Sequence, residues 1–164
     1  MEHLLIELMI CAGMTVGLAV THMLGLMGLT NLVRFHIRHW IVGRPMLDRV
    51  AVPMTMVCGL FLLHGLEIWI YAFVHLALTG MPFEQALYGS VAAYTTVDIQ
   101  ALDDFRAWRL VAAHEALVGM LLIGWSTAFL FATLHRIMNT EETHPLPEGA
   151  IAEPIEEEEE PVAS

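Results

Sequence analysis

Three apolar runs constrain this chain more than any other feature of its sequence. They cover residues 4–33, 50–78 and 110–137, and each exceeds the roughly 20 residues that a helix needs to cross the hydrocarbon core of a bilayer. A helix satisfies its backbone hydrogen bonds internally, as a bilayer interior requires. The sequence therefore predicts an all-α integral membrane protein with three transmembrane helices, each long enough to tilt or protrude.

The charged residues are too few and too unevenly placed for a soluble domain. Only 15% of the residues are charged, against about 25% in ordinary soluble domains. Nine of the 18 acidic residues follow Met138, and the rest of the chain sets nine acids against seven Arg. Nine of the eleven net negative charges therefore belong to residues 138–164, which we predict to form an acidic, disordered cytoplasmic tail. Nothing in this charge pattern indicates nucleic-acid binding.

The arginines predict the orientation of the chain. Five of the seven fall on one side of the predicted spans, at Arg34, Arg38, Arg44, Arg49 and Arg136, and two on the other, at Arg106 and Arg109. By the positive-inside rule, the richer side is cytoplasmic. We expect an N-terminal transmembrane segment (1–34) that starts outside the cell (inner) membrane, then a basic cytoplasmic loop (35–49).

A shorter apolar stretch lies between the second and third spans. Residues 79–109 begin Thr-Gly-Met-Pro and include the apolar stretch 83–97, which is too short to cross a bilayer. A re-entrant helix suits such a stretch, provided that protein or a water-filled cavity surrounds it. The sequence therefore predicts a re-entrant helix between two spans.

Three stretches of the sequence stand out around the short apolar segment: Leu63-His-Gly-Leu-Glu-Ile-Trp69, Phe83-Glu-Gln-Ala-Leu-Tyr-Gly-Ser-Val-Ala-Ala-Tyr-Thr-Thr-Val97, and the run from Trp108 to Phe131. Together they resemble the pore domain of bacterial two-helix potassium channels. The resemblance implies a pore domain over residues 50–137, with an outer helix (50–78), a pore helix and filter loop (82–100) and an inner helix (108–137). It also implies a homotetramer in the lipid bilayer, because each chain supplies one loop to a shared pore.

The chain departs from that family at the filter. Thr95, Thr96 and Val97 match the family pattern, but Asp98-Ile99-Gln100-Ala101 stands where the family has Gly-Tyr-Gly-Asp. A potassium filter is a ring of backbone carbonyls from four loops, and its glycines adopt the required backbone angles cheaply. Ile99 and Gln100 lack that freedom. We therefore expect the filter to keep carbonyls from residues 95–97 below a ring of four Asp98 carboxylates.

Such a ring predicts the ion chemistry. Two carboxylates about 8 Å apart repel by about 2 kcal/mol at an effective dielectric near 20, so the ring binds a cation or takes up a proton. Thr96-Val97-Asp98 is similar to the filter run of sodium and calcium channels, and Ca²⁺ favours carboxylate oxygens. Asp103 and Asp104 would form an acidic outer vestibule. The alternative is that Asp98 only caps a turn in a narrow or closed pore.

The predicted function is a tetrameric cation channel, neither an enzyme nor dependent on a cofactor. We expect weak potassium selectivity or none, with Asp98 as the metal site for permeant or blocking cations such as K⁺, Na⁺ or Ca²⁺. Three alternatives stay open. They are a potassium channel despite the altered filter, a non-conducting membrane partner or signalling subunit, and a b-type cytochrome in which paired histidines ligate haem.

Polar and small residues within the spans are further candidates. Ionisable groups in membrane spans are functional candidates by default. Glu67 and His64, three residues apart on one helix face, are predicted to support the filter, whereas His22 and His75 look isolated and structural. Gly119 and Gly124 suit either close packing or a gating hinge. An apolar gate that closes by dewetting is predicted at the cytoplasmic end from Phe129, Phe131 and Leu134.

Overall fold

Over the residues described, the chain forms four α-helices and no strand. The computed structural model describes residues 1–40, 45–97, 105 and 107–142. Its helices are α1 (Glu2–Trp40), α2 (Pro45–Thr79), α3 (Phe83–Tyr94) and α4 (Arg109–Glu142). The all-α fold predicted from the sequence is confirmed.

Three of the helices are long and apolar enough to cross a membrane. Their candidate spans are Glu2–Phe35, Val50–Thr79 and Arg109–Arg136, with mean hydropathies of 2.0, 1.8 and 1.9. Only 17%, 28% and 22% of the most apolar window of each is buried within the chain. Because so much apolar surface faces outward, lipid or other membrane helices must cover it. The findings support a multi-pass membrane protein with three candidate spans.

The long helices extend beyond the predicted spans. α1 continues to Trp40 and α2 already begins at Pro45, so helix replaces much of the segment expected as a basic loop over residues 35–49. α4 continues to Glu142, five residues into the segment expected as a disordered tail. Residues 41–44 and 143–164 lie outside the described residues. A helix, once formed, adds one hydrogen bond per residue, so it extends past its apolar segment at little cost.

The core of the bundle lies along α2, which contacts each of the other three helices. One buried cluster contains side chains from all four helices: Leu18, Tyr71, Tyr94, Val118 and Leu122. Two further clusters join α1 to α2, around Leu26, Leu29, Leu60 and Leu63 and around Val33, Val52 and Met56. Residues of α4 pack against both. α1 is therefore an integral part of the same bundle as the other three helices.

Glycines bring α1 and α2 close together at two places. A Cβ atom on Gly25 would collide with the side chain of Leu63, and one on Gly59 would collide with the side chain of Leu29. By contrast, nothing in the chain lies within 4 Å of a Cβ placed on Gly13, Gly17 or Gly28. Close packing of α1 against α2 is thus found at Gly25 but not at these three glycines.

Candidate functional site

The short helix α3 lies between α2 and α4 and contacts both. A glycine in the left-handed region, Gly80 with φ 68°, follows the end of α2, and Pro82 precedes the first turn of α3. Proline sets the extended backbone from which a helix can start. The buried side of α3 carries mostly small residues, Ala86, Gly89, Ser90, Ala92 and Ala93. Small side chains allow α3 to approach its neighbours closely.

The far end of α3 lies beside the middle of both neighbouring spans. The Tyr94 hydroxyl hydrogen-bonds to Glu67, which stands twelve residues before the end of the second span at Thr79. At about 1.5 Å per residue this is about 18 Å along α2. The Tyr94 carbonyl lies against Gly119, ten residues from the start of the third span at Arg109, or about 15 Å along α4. A hydrocarbon core is about 30 Å thick. Both distances, measured from the span ends nearest the start of α3, therefore place Tyr94 near the middle of the membrane.

The chain turns sharply where α3 ends. The backbone N–H groups of Thr96 and Val97 donate to the carbonyls of Ala93 and Ala92, at 3.0 and 3.1 Å. This pairing is typical of a helix C-terminus that ends on a left-handed residue. That residue is Thr96, with φ 57°, although a β-branched side chain is a genuine outlier in this region. Backbone strain of this kind is concentrated at functional sites.

The segment at the turn is exposed on the surface of the single chain. Thr95, Thr96 and Val97 are all exposed, Val97 at 81%. The other predicted filter and vestibule residues, Asp98, Ile99, Gln100, Asp103 and Asp104, lie outside the described residues. The structure therefore describes where the predicted filter begins.

Behind this turn, Glu67 accepts hydrogen bonds from three side chains on three helices. His22 Nδ1 on α1 donates to Oε1 at 2.7 Å, and His64 Nδ1 on α2 lies 3.0 Å from Oε2. The Tyr94 hydroxyl on α3 donates to Oε2 at 2.5 Å. Glu67 and His22 are fully buried. The structure thus brings the two predicted support residues, Glu67 and His64, together at the end of α3.

A second buried pair joins α2 to α4. His75 Nε2 lies 2.7 Å from Glu115 Oε2, and both side chains are fully buried. The Phe105 ring stacks on His75 at a centroid distance of 4.0 Å, and the same ring lies where a Cβ on Gly89 of α3 would be. This pair braces the region where α2, α3 and α4 meet.

Gly119 and Gly124 stand in different surroundings. A Cβ on Gly119 would lie 2.6 Å from the Tyr94 carbonyl oxygen, closer than real Cβ contacts come. Nothing in the chain lies within 4 Å of a Cβ on Gly124. Gly119 is therefore a packing glycine that lets α4 approach the end of α3.

The three residues predicted to form an apolar gate do not share one environment. Phe129 packs against both of the lower clusters between α1 and α2, and Leu134 packs against one of them. Phe131 is 73% exposed. Phe131 is thus the one of the three with its side chain turned outward from the chain's own core.

Sequence reasoning missed the partners of His22 and His75. Both histidines looked isolated, yet each faces a glutamate across a helix interface at 2.7 Å. One signal was present: His64, Glu67, Tyr71 and His75 are spaced by three or four residues and so share one face of α2. A polar stripe on a transmembrane helix predicts polar partners opposite, but the stripe alone does not say which residues they are.

No protein-family model, no curated protein and no solved structure matches this chain. What the structure supports directly is the class: a helical, multi-pass membrane protein with three candidate spans and a short fourth helix between the last two.

Proposed function

We propose that four copies of this chain form a cation channel in which α3 is the pore helix. One observation carries the proposal: α3 ends beside the middle of two candidate spans, and the chain turns there, at Thr96, instead of crossing. Irregular backbone is tolerated at membrane depth only where protein encloses it or water reaches it. A re-entrant helix and turn that line a water-filled pore satisfy that condition.

The exposed turn favours an assembly over a single chain. Thr95, Thr96 and Val97 are exposed on the single chain. Their N–H groups are bonded within the chain, so it is their carbonyls that need water or neighbouring copies around them. One loop cannot enclose an axis, whereas a ring of copies can. The resemblance to two-helix potassium channels sets the number at four.

The residues that follow the turn set the proposed ion preference. Asp98 comes directly after Val97, and four Asp98 carboxylates around the axis would attract cations strongly. Asp103 and Asp104 would raise the local cation concentration. The absence of the glycines that a potassium filter uses favours weak potassium selectivity or none. Divalent cations such as Ca²⁺ are expected to permeate or block.

The buried Glu67 supports the proposal from behind the turn. Its hydrogen bond to Tyr94 connects the end of α3 to α2, and its bond to His22 extends that connection to α1. Hydrogen bonds to a charged group are the stronger kind, at about 1.5–3 kcal/mol each. Such bonds would hold a pore helix at a fixed distance from the axis. In this role Glu67 and His64 are positioning residues and do not touch the ion.

The proposed topology places the end of α2 at Thr79 and the start of α4 at Arg109 on the outer side of a cell membrane. Arg34 and Arg136, at the ends of the first and third spans, and the arginines of the segment after the first span would be cytoplasmic. The turn after α3 would then open toward the outside, and the acidic tail would be cytoplasmic.

Reversal potentials measured on the purified chain in bilayers test the proposal. Wild type should carry K⁺ and Na⁺ at comparable permeability, with Ca²⁺ permeating or blocking. Asp98→Asn should weaken divalent block or permeation at least tenfold, whereas Glu2→Gln, a change at an exposed residue of the first turn of α1, should not. A chain that runs as a monomer in mild detergent, or that passes no cation under any ionic condition, would favour a non-conducting membrane subunit.

A further inference from the structure

We propose that His22, His64 and Glu67 form a binding site for a divalent transition metal, with Zn²⁺ as the best match, inside the helix bundle. Among the described residues these three form the one group of His, Cys, Asp or Glu side chains whose ligand atoms all lie within 4.8 Å of one another. They come from two helices, α1 and α2. Glu67 and His64 are also the residues proposed to position the filter, but the metal proposal does not depend on the proposed channel function.

The three ligand groups lie close together, within 4.8 Å of one another. Nδ1 of His22 and Nδ1 of His64 lie 2.7 and 3.0 Å from the two carboxylate oxygens of Glu67. Two imidazoles and one carboxylate are a recognised set of protein ligands for zinc. Tetrahedral ligands at zinc distances stand about 3.3 Å apart. The two nitrogen–oxygen separations therefore need to open by about 0.3–0.6 Å to admit the ion.

Charge gives a reason for a cation at this position. Glu67 is fully buried, and an unpaired carboxylate in an apolar interior is costly. Among the described residues, its ion-pair partners are His22 and His64, and a histidine carries a charge only when protonated. A divalent metal supplies the missing positive charge while both imidazoles stay neutral, which is the form that binds metals.

The surrounding groups suit a metal site as well. When Nδ1 of His22 binds a metal, its proton moves to Nε2, and Ser126 Oγ on α4 lies 3.3 Å from that atom, ready to accept it. The Tyr94 hydroxyl donates to Glu67 Oε2. Such partners orient metal ligands and set their tautomers. His64 keeps 17% of its side chain exposed on the single chain, so the chain itself leaves one side of the site open for a fourth ligand.

The second buried pair supplies a matched control. His75 and Glu115 have the same 2.7 Å separation and the same full burial, but no third ligand group joins them within the described part of the chain. If buried His–Glu pairs bound metals in general, changes at His75 and at His22 would weaken metal binding equally. If the site needs three ligands, only changes at His22, His64 or Glu67 weaken metal binding.

Cobalt titration of the tag-free, chelator-treated full chain in detergent tests the proposal. Wild type should bind one Co²⁺ per chain with the visible absorption of a tetrahedral site, and Zn²⁺ should displace it. Glu67→Gln and His22→Gln should weaken binding by more than about 100-fold, since each removes a ligand and even the loss of an orienting partner costs 10- to 100-fold. His75→Gln should bind as wild type does.

His64→Gln keeps the test decisive if the variants at fully buried positions fail to fold. It alters the one ligand that is partly exposed, and it should abolish the cobalt spectrum and the rise in melting temperature that Zn²⁺ gives wild type. Absence of the spectrum in wild type would overturn the proposal, as would equal binding by His64→Gln and His75→Gln. Because no step measures conduction, this outcome is independent of the channel experiments.

Discussion

Replacement of Gly119 by alanine should push α4 away from the end of α3. The new Cβ would stand 2.6 Å from the Tyr94 carbonyl oxygen and 2.9 Å from Tyr94 Cγ. Ordinary van der Waals contact begins near 3.4 Å, so the two helices would have to separate locally by about 0.8 Å. The obstacle includes backbone, so a change of rotamer cannot relieve it.

The expected cost follows from overpacking. Extra methyl groups in a packed interior destabilise by about 1–3 kcal/mol. Here the separation also pulls on Tyr94, whose hydroxyl is held by the Glu67 carboxylate. We therefore expect Gly119→Ala to lower the free energy of unfolding by about 2–3 kcal/mol.

Gly124→Ala is the matched control, five residues further along the same helix. A Cβ there meets nothing within 4 Å in the chain, and alanine favours helix over glycine by about 1 kcal/mol. It should leave the stability unchanged or raise it by up to about 1 kcal/mol.

Thermal unfolding in one detergent at one protein concentration, followed by tryptophan fluorescence, measures both variants. Equal melting temperatures for Gly119→Ala and wild type would refute the packing argument. If Gly124→Ala kept its stability but lost cation flux in bilayers, Gly124 would be the glycine with a gating role.

Three further predictions concern the site. Glu67→Gln should lower the free energy of unfolding by about 3 kcal/mol, because a glutamine NH₂ would face donors that now reach the carboxylate. The exposed Glu2→Gln should change it by less than about 0.5 kcal/mol. Equal effects of the two variants in chemical unfolding would show that Glu67 is not the shared acceptor of these hydrogen bonds. Thr96→Gly should leave the free energy of unfolding about 1–2 kcal/mol higher than Thr95→Gly does, since Thr96 has φ 57° and Thr95 has φ −89°. The reverse order of melting temperatures would show that the turn is not left-handed at Thr96. Asp98→Ala should reduce Ca²⁺ block or permeation at least as much as Asp98→Asn, and unchanged permeability ratios in both would remove the carboxylate ring from the proposal.

The sequence was informative wherever a single segment carries its own signal. Three apolar runs, each long enough to cross a bilayer as a helix, predict three transmembrane helices. In lipid an unsatisfied backbone group is costly, and a helix satisfies all of its backbone hydrogen bonds within one segment. The 12-residue helix at Phe83–Tyr94 was likewise predictable, since its stretch is apolar but too short to span. The ends of the long helices could not be predicted, because apolar content indicates which residues lie in the membrane and not where the last hydrogen bond of a helix forms.

Contacts between helices were decided by the tertiary structure alone. The sequence places Glu67 and His64 on one face of α2, but the rotation of α1 and the tilt of α3 determine that His22 and Tyr94 reach the same carboxylate. Likewise, Gly119 and Gly124 are equivalent in sequence, and only the position of Tyr94 makes the first a packing glycine and leaves the second open. Hydropathy determines which segments enter the membrane, whereas the packing of one helix on another determines which buried groups meet, because a polar group in an apolar interior is stable only opposite a partner.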